Sequence, residues 1–155
     1  MYNHQPSDYE CPFCGLDQEA NQIRQGGIIY QDDRIISFIS RDWWPQNPGH
    51  VLIIPKLHFE NIYTLPFPVS DRIHRFAKCV ALALKEVYHC DGVSTRQHNE
   101  PAGNQDVWHY HLHVFPRYVG DNLYHEKKAE SNIEDRIQYV QKLKTYFDAN
   151  IPVLD

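Results

Sequence analysis

Apolar positions along the chain recur with two different periods, and the change from one to the other marks out the elements. The stretch "GGIIYQDDRIISFIS" holds two apolar runs separated by Asp32 and Asp33, a short polar break of the kind that closes a hairpin, and it predicts two paired strands. "RDWWPQNPG" carries the proline and glycine of a loop, and "HVLIIPK" reads as a third strand whose continuous aliphatic centre implies burial on both faces. From Ser70, a candidate N-cap, apolar residues return every three or four positions at Ile73, Phe76, Val80, Leu84 and Val87. That spacing predicts a helix through Cys90 with the stripe against the sheet. "GVSTRQHN" and "VWHYHLHVFPR" complete the strands, joined by a loop from Glu100 to Asp106, and Ile133, Ile137, Val140, Leu143 and Phe147 give a second amphipathic helix. The expected architecture is α+β: a mainly antiparallel five-stranded sheet with a long helix packed on it and a C-terminal helix. Without linkers or repeats, residues 1–155 are expected to form one domain, its core over about 8–120 and a helical extension over about 131–150.

Composition narrows the function. With 155 residues, 42% of them hydrophobic, the chain can bury a real core. A formal charge of −5 with interspersed signs offers no basic face for a nucleic-acid backbone, so no polymer of that kind is expected as a partner. The first ten residues hold no apolar signal region, and the longest aliphatic run, Val51 to Ile54, is too short for a bilayer. A cytoplasmic protein without membrane association is expected. Of the four cysteines, Cys79 and Cys90 fall in or near the long helix, where a small buried thiol is the ordinary role. Cys11 and Cys14 differ: C-x-x-C in "ECPFCG" suggests zinc, with redox chemistry and inert thiols as alternatives.

The chemistry concentrates in "WHYHLHVF". On a strand, alternation sends His109, His111 and His113 to one face, while Trp108, Tyr110, Leu112 and Val114 can enter a core. Three imidazoles on the polar face could be ordinary surface residues, the ligands of one metal, or a row laid along an extended reactive group. A single ion is excluded by length, since two residues four apart on a strand are about 13 Å apart at ~3.3 Å per residue, against Zn–N bonds of about 2 Å. A row of rings suits a phosphate ester, the middle ring attacking while its neighbours donate to the oxygens. Neutral imidazole is nucleophilic near pH 7, and His111 is the candidate nucleophile.

"HYHLHVF" resembles the alternating signature of the histidine-triad (HIT) superfamily of nucleotide hydrolases and transferases. "CPFC", Asp42 eight residues before His50, "GHVLIIPKLH" and "NEPAGNQDV" agree with it over most of the chain. The resemblance implies attack of His111 on the α-phosphorus of a nucleoside phosphoanhydride or phosphoramidate, giving a nucleotidyl-histidine resolved by water, with transfer to a phosphate acceptor or a regulatory nucleotide-binding role as alternatives. It implies that His113 assists at the phosphoryl group, that Asn99 lies near the α-phosphate and ribose, that Asp42 binds ribose hydroxyls, that Gln105 approaches the phosphate and that His50 lies near the site. Phe13, Leu16 and apolar residues of the first hairpin supply either a base pocket or core.

The resemblance also implies a structural zinc ion held by Cys11, Cys14, His58 and His109, with no organic cofactor, which would leave His111 and His113 as the working pair. Small-molecule nucleotide binding and a homodimer are implied too. For the dimer, the large side chains of the fifth strand would be a liability on an open edge, and Tyr88 is a candidate either for that contact or for burial within the monomer. Two departures stand out. Asn104 is inserted between Gly103 and Gln105, and Asp106 stands where small hydroxyl residues are common; a carboxylate there repels a polyphosphate unless it is protonated or paired.

Overall fold

A computed structural model describes residues 2–18 and 26–154. Strands β1 (Ile28–Gln31), β2 (Ile35–Ile39), β4 (Val51–Pro55), β5 (Gly92–Arg96) and β6 (Leu112–Arg117) form one antiparallel sheet in the order β1-β2-β4-β6-β5. The five strands and two helices are the expected α+β arrangement. The Asp32 carboxylate accepts from the backbone N–H groups of Arg34 and Ile35, which closes the β1–β2 hairpin where the polar break predicts it.

Alternation along the strands divides the core in two. Ile35, Ile39, Val51, Ile53, Leu112 and Val114 face helix α1 (Phe67–Val87) and helix α2 (Ile133–Ala149). Ile36, Phe38, Leu52 and Ile54 face the other way and are covered by Phe13 and Leu16 of the N-terminal segment. Burial of every residue of β4 follows from having both covers.

The helix and strand limits differ from expectation for local reasons. Helix α1 begins at Phe67, capped by Pro66 with Pro68 in the first turn, because proline presets φ and lacks an N–H that would be unpaired there anyway. It ends at Val87 rather than Cys90, where His89 turns to a φ of 53°. On α2, Ile133 and Ile137 are partly exposed and Arg136 is buried instead, its guanidinium donating to the carbonyl of Ser131 at 2.6 Å. The "RDWWPQNPG" loop contains a two-residue strand, β3 (Asp42–Trp43), paired with β7 (Ala129–Glu130).

One expectation about surfaces is corrected. The histidine strand is internal, between β4 and β5, so its large side chains lie on no open edge; the edges are β1 and β5. Tyr88 is packed within the chain, 5.0 Å from the Tyr139 ring, with its hydroxyl donating to the carbonyl of Gly49. Gly49 has a φ of +71°, and a Cβ there would meet the Tyr139 ring at 2.3 Å, so glycine lets α2 close onto the loop that carries His50. Among the described residues, no helix is long and apolar enough to cross a membrane.

Candidate functional site

The in-register residues Phe38, Leu52, His113 and Arg96 form a row across β2, β4, β6 and β5, and their side chains share the face away from the helices. The regular ladder starts only at Leu112, one residue after His111, so His109, in a bend, and His111 occupy the approach to β6. That approach is fixed by the Tyr110 N–H, which donates to the carbonyl of Phe59 at 2.6 Å. The expectation of a wet histidine face is overturned. His109 is 0% and His111 2% exposed, because the N-terminal segment lies over them and Phe13 packs edge-on against both rings. Trp108 does not enter the core; it is half-buried with its ring 6.0 Å from that of His4.

The three histidines separate into two settings. His109 turns toward the cysteines, its Nδ1 3.4 Å from Cys11 Sγ and 3.7 Å from Cys14 Sγ, while His58 Nδ1 lies 3.3 Å from Cys14 Sγ. These four candidate ligand atoms all fall within 4.8 Å of one another. Both imidazoles are oriented from their far side. His109 Nε2 donates to the carbonyl of Pro55 at 3.0 Å and His58 Nε2 to Oε1 of Gln5 at 2.7 Å. Acceptors on Nε2 leave the Nδ1 lone pairs aimed at the sulfurs. Burial holds the His109 pKa down to about 4, and burial together with Cys11 pushes the Cys14 thiol up to about 11. Two thiols and two imidazole lone pairs that converge in this way form the donor set of a tetrahedral zinc ion.

His111 belongs to a different centre. Its Nδ1–H donates to the carbonyl of His109 at 2.7 Å, which leaves Nε2 as the free nitrogen, 3.8 Å from Asp106 Oδ1. Burial lowers its pKa, so the ring is neutral near pH 7. The His113 ring lies 5.0 Å away, its Nδ1 3.2 Å from His50 Nε2.

These rings line a cavity with two kinds of wall. Phe13, Phe38, Leu52 and Val107 make an apolar side, and Asp42, Asp106 and Lys128 a charged one. Lys128 bridges the two carboxylates, its Nζ 2.7 Å from Asp106 Oδ2 and 3.7 Å from Asp42 Oδ2. The Asp106 carboxylate is therefore paired, and that partner together with His111 outweighs its burial, which alone would raise the pKa.

Asp42, His111 and His113 are thus brought to one cavity, with His50 behind His113. Gln105 and Asn99 do not line it. Gln105 staples its loop, donating to the carbonyls of Glu60 and Val107 and accepting from the N–H of Glu100. Asn99 accepts from the N–H of Ile62 and pairs with Gln97. The inserted Asn104 takes a left-handed φ of 63° at the end of a short 3₁₀ turn, a conformation asparagine tolerates well. Lys128 escaped the sequence reading because it lies outside every periodic segment; only the pairing of β3 with β7 carries it to the cavity.

An antiparallel five-stranded sheet with this histidine row defines a histidine-triad protein. Residues 22–120 match the HIT domain, and the chain belongs to that family. It is 31% identical over 108 residues to the protein Hit of Bacillus subtilis, covering 70% of this chain and 71% of that one. An adenylylsulfatase of Arabidopsis thaliana is 26% identical over 115 residues, 74% of this chain and 56% of that one. A zinc-bound histidine triad family protein from Mycobacterium smegmatis shares the fold with a TM-score of 0.73 at 26% identity, covering 91% of this chain and 97% of that one.

Proposed function

We propose that the chain hydrolyses a nucleoside phosphoanhydride or phosphoramidate at the α-phosphorus through a nucleotidyl-His111 intermediate. The observation that carries this reading is the free, neutral Nε2 of His111, held by its Nδ1 bond at the wall of a cavity that is apolar on one side and charged on the other. The apolar wall of Phe13, Phe38, Leu52 and Val107 suits a base and Asp42 a pair of ribose hydroxyls. The lone pair of Nε2 attacks phosphorus, and the bond to the leaving group breaks with its electron pair on that group. Water then attacks phosphorus, the P–N bond returns its pair to Nε2, and a nucleoside monophosphate and a proton are released. His113 and Lys128 stand beside the charge that develops. Relatedness to an adenylylsulfatase supports hydrolysis of this type.

Zinc is read as a structural ion on Cys11, Cys14, His58 and His109, supported by the convergence of those atoms and by the zinc-bound neighbour. When bound it supplies a cross-link between the N-terminal segment and the approach to β6. Four free thiols suit the reducing cytoplasm. The open edge of β5 suits a homodimer, which would cover it, and light scattering should give twice the chain mass.

The test of the activity is a panel of adenylyl sulfate, adenosine phosphoramidate and dinucleoside polyphosphates, with the reaction quenched in base. The expected result is turnover of at least one substrate and nucleotide covalently trapped on a single histidine. Turnover with nothing trapped at any time point would sink the covalent route.

A further inference from the structure

Arg96 ends β5 directly opposite His113, so the two side chains rise side by side from the same face of the sheet. Its guanidinium carbon sits 4.9 Å from the ring centroids of both Trp44 and Phe115. Phe115 in turn stacks on His113 at 5.4 Å and on His50 at 4.5 Å. Trp44 and Phe115 touch edge-on at 5.4 Å, so the cation rests against a pair of contacting rings, one of which, Phe115, continues into the histidine row.

Among the described residues no carboxylate is in salt-bridge contact with Arg96, and Asp106 attracts it only from beyond that range. Arg117, Arg72 and Arg41 are each paired with a carboxylate, Asp121, Asp32 and Asp42 respectively. Among the described residues Arg96 has no ion-pair or hydrogen-bond partner, and its Nε is buried. A partly buried charge without a partner is costly unless something arrives to meet it. Aromatic faces fix the plane of the fork and leave its edge of N–H groups free. All of those groups are donors, so the missing partner is an acceptor-rich anion. Arg96 stands behind the cavity wall at His113, whereas Lys128 lines the cavity, 2.7 Å from the Asp106 carboxylate that lies 3.8 Å from His111 Nε2; both cations are close enough to oppose protonation of His50.

We propose that Arg96 and Lys128 form an oxyanion subsite flanking His111 and His113, which receives the leaving group. The substrate class is then a nucleotide whose α-phosphorus is bridged through oxygen to sulfate, phosphate or a phosphate chain. This rests on the nucleotidyl-His111 reading. As the bond between α-phosphorus and bridging oxygen breaks, its electron pair stays on that oxygen and the departing group gains one negative charge. Donation from Arg96 strengthens as that charge grows. The nitrogen of a phosphoramidate takes up a proton from water as its bond to phosphorus breaks, so it leaves as an uncharged amine and has nothing to gain from the guanidinium.

The test compares kcat/KM for adenylyl sulfate and for adenosine phosphoramidate in the wild type, Arg96→Gln and Arg96→Lys. The glutamine variant should lose about a hundredfold on the sulfate, the range for one preorganised donor to a developing charge, and less than about threefold on the phosphoramidate. If the glutamine variant does not fold, Arg96→Lys carries the same comparison with a smaller selective loss. Equal losses on both substrates, or none on either, overturn the subsite. In parallel, melting is followed at millimolar sodium sulfate against sodium chloride of equal ionic strength. If the wild type hydrolyses neither of these substrates nor a dinucleoside polyphosphate, the hydrolase reading fails and the melts alone decide. A sulfate-specific rise in wild type that Arg96→Gln lacks keeps the subsite, and no difference between the two removes it.

Discussion

The Nδ1–H of His111 donates to the carbonyl oxygen of His109 at 2.7 Å, so the backbone of one triad member sets the tautomer of the next. The same residue, through its own Nε2–H on the Pro55 carbonyl, turns Nδ1 to the cysteines. Two adjacent imidazoles are therefore fixed in opposite tautomers by main-chain acceptors. The cluster of Cys11, Cys14, His58 and His109 shares one tripeptide with the candidate nucleophile, and a change in the cluster should be felt at His111.

Replacing His111 by Asn should abolish covalent nucleotide labelling and lower kcat by more than about a thousandfold, since the attacking atom itself is removed. Because the ring is buried against Phe13, the variant should also lose on the order of 1 kcal/mol of stability. Rapid-quench labelling and urea unfolding check the two effects. A variant that still turns over within tenfold of wild type contradicts the assignment.

Lys128→Ala should weaken anionic nucleotides by about tenfold in kcat/KM, because it leaves Asp42 and Asp106 unneutralised at the cavity wall. Adding Asp106→Asn to Lys128→Ala should recover much of the loss. A double-mutant cycle with no coupling between the two positions would show that the pair does not act as a unit.

Much of this was legible in the sequence where side-chain period alone decides. Ile53 and Leu52 on opposite faces of β4 and the α1 stripe from Ile73 to Leu84 both follow from local geometry. What period cannot show is which segment covers a face. The burial of His109 and His111 comes from Phe13 and its neighbours, almost a hundred residues away in the chain. Lys128 and Arg96 were missed for the same reason. A lysine in an aperiodic segment and an arginine on a short strand look like solvated surface until strand pairing places Lys128 at the cavity wall and Arg96 opposite His113. Gln105 and Asn99 show the converse, since residue types suited to a ligand are taken up by backbone groups of their own loops.

Zinc removal should act on the fold before the chemistry. Metal analysis of protein purified without chelator should find one zinc per chain, and chelation should lower the melting temperature, because ligation ties residues 11 and 14 to residues 58 and 109. Gln5→Ala removes the acceptor that orients His58 and should weaken zinc about tenfold in a chelator competition. Unchanged affinity would mean that Gln5 does not orient the ligand.

Acid should destabilise the protein through His50. The ring is fully buried, stacked on Phe115 and edge-on to Trp44, and burial lowers its pKa to about 3. Arg96 on β5, Lys128 and His111 add like charge to that effect, and His113 on β6 shares only one proton with it across 3.2 Å. Its Nδ1 has no acceptor, so the imidazolium would place an unpaired N–H in the core. The unfolded chain takes up this proton near pH 6.5, whereas the folded chain does so only near pH 3. Between those values the unfolded state binds more protons, and stability therefore falls as the pH falls. The full contribution is present above pH 6.5 and amounts to at most about 5 kcal/mol at ~1.4 kcal/mol per pKa unit. Urea unfolding from pH 7 to pH 4 should show His50→Gln less stable at neutral pH but with a slope against pH smaller by up to one proton. The zinc ligands titrate in both proteins and cancel in the difference, so parallel slopes would show that His50 is not the group responsible.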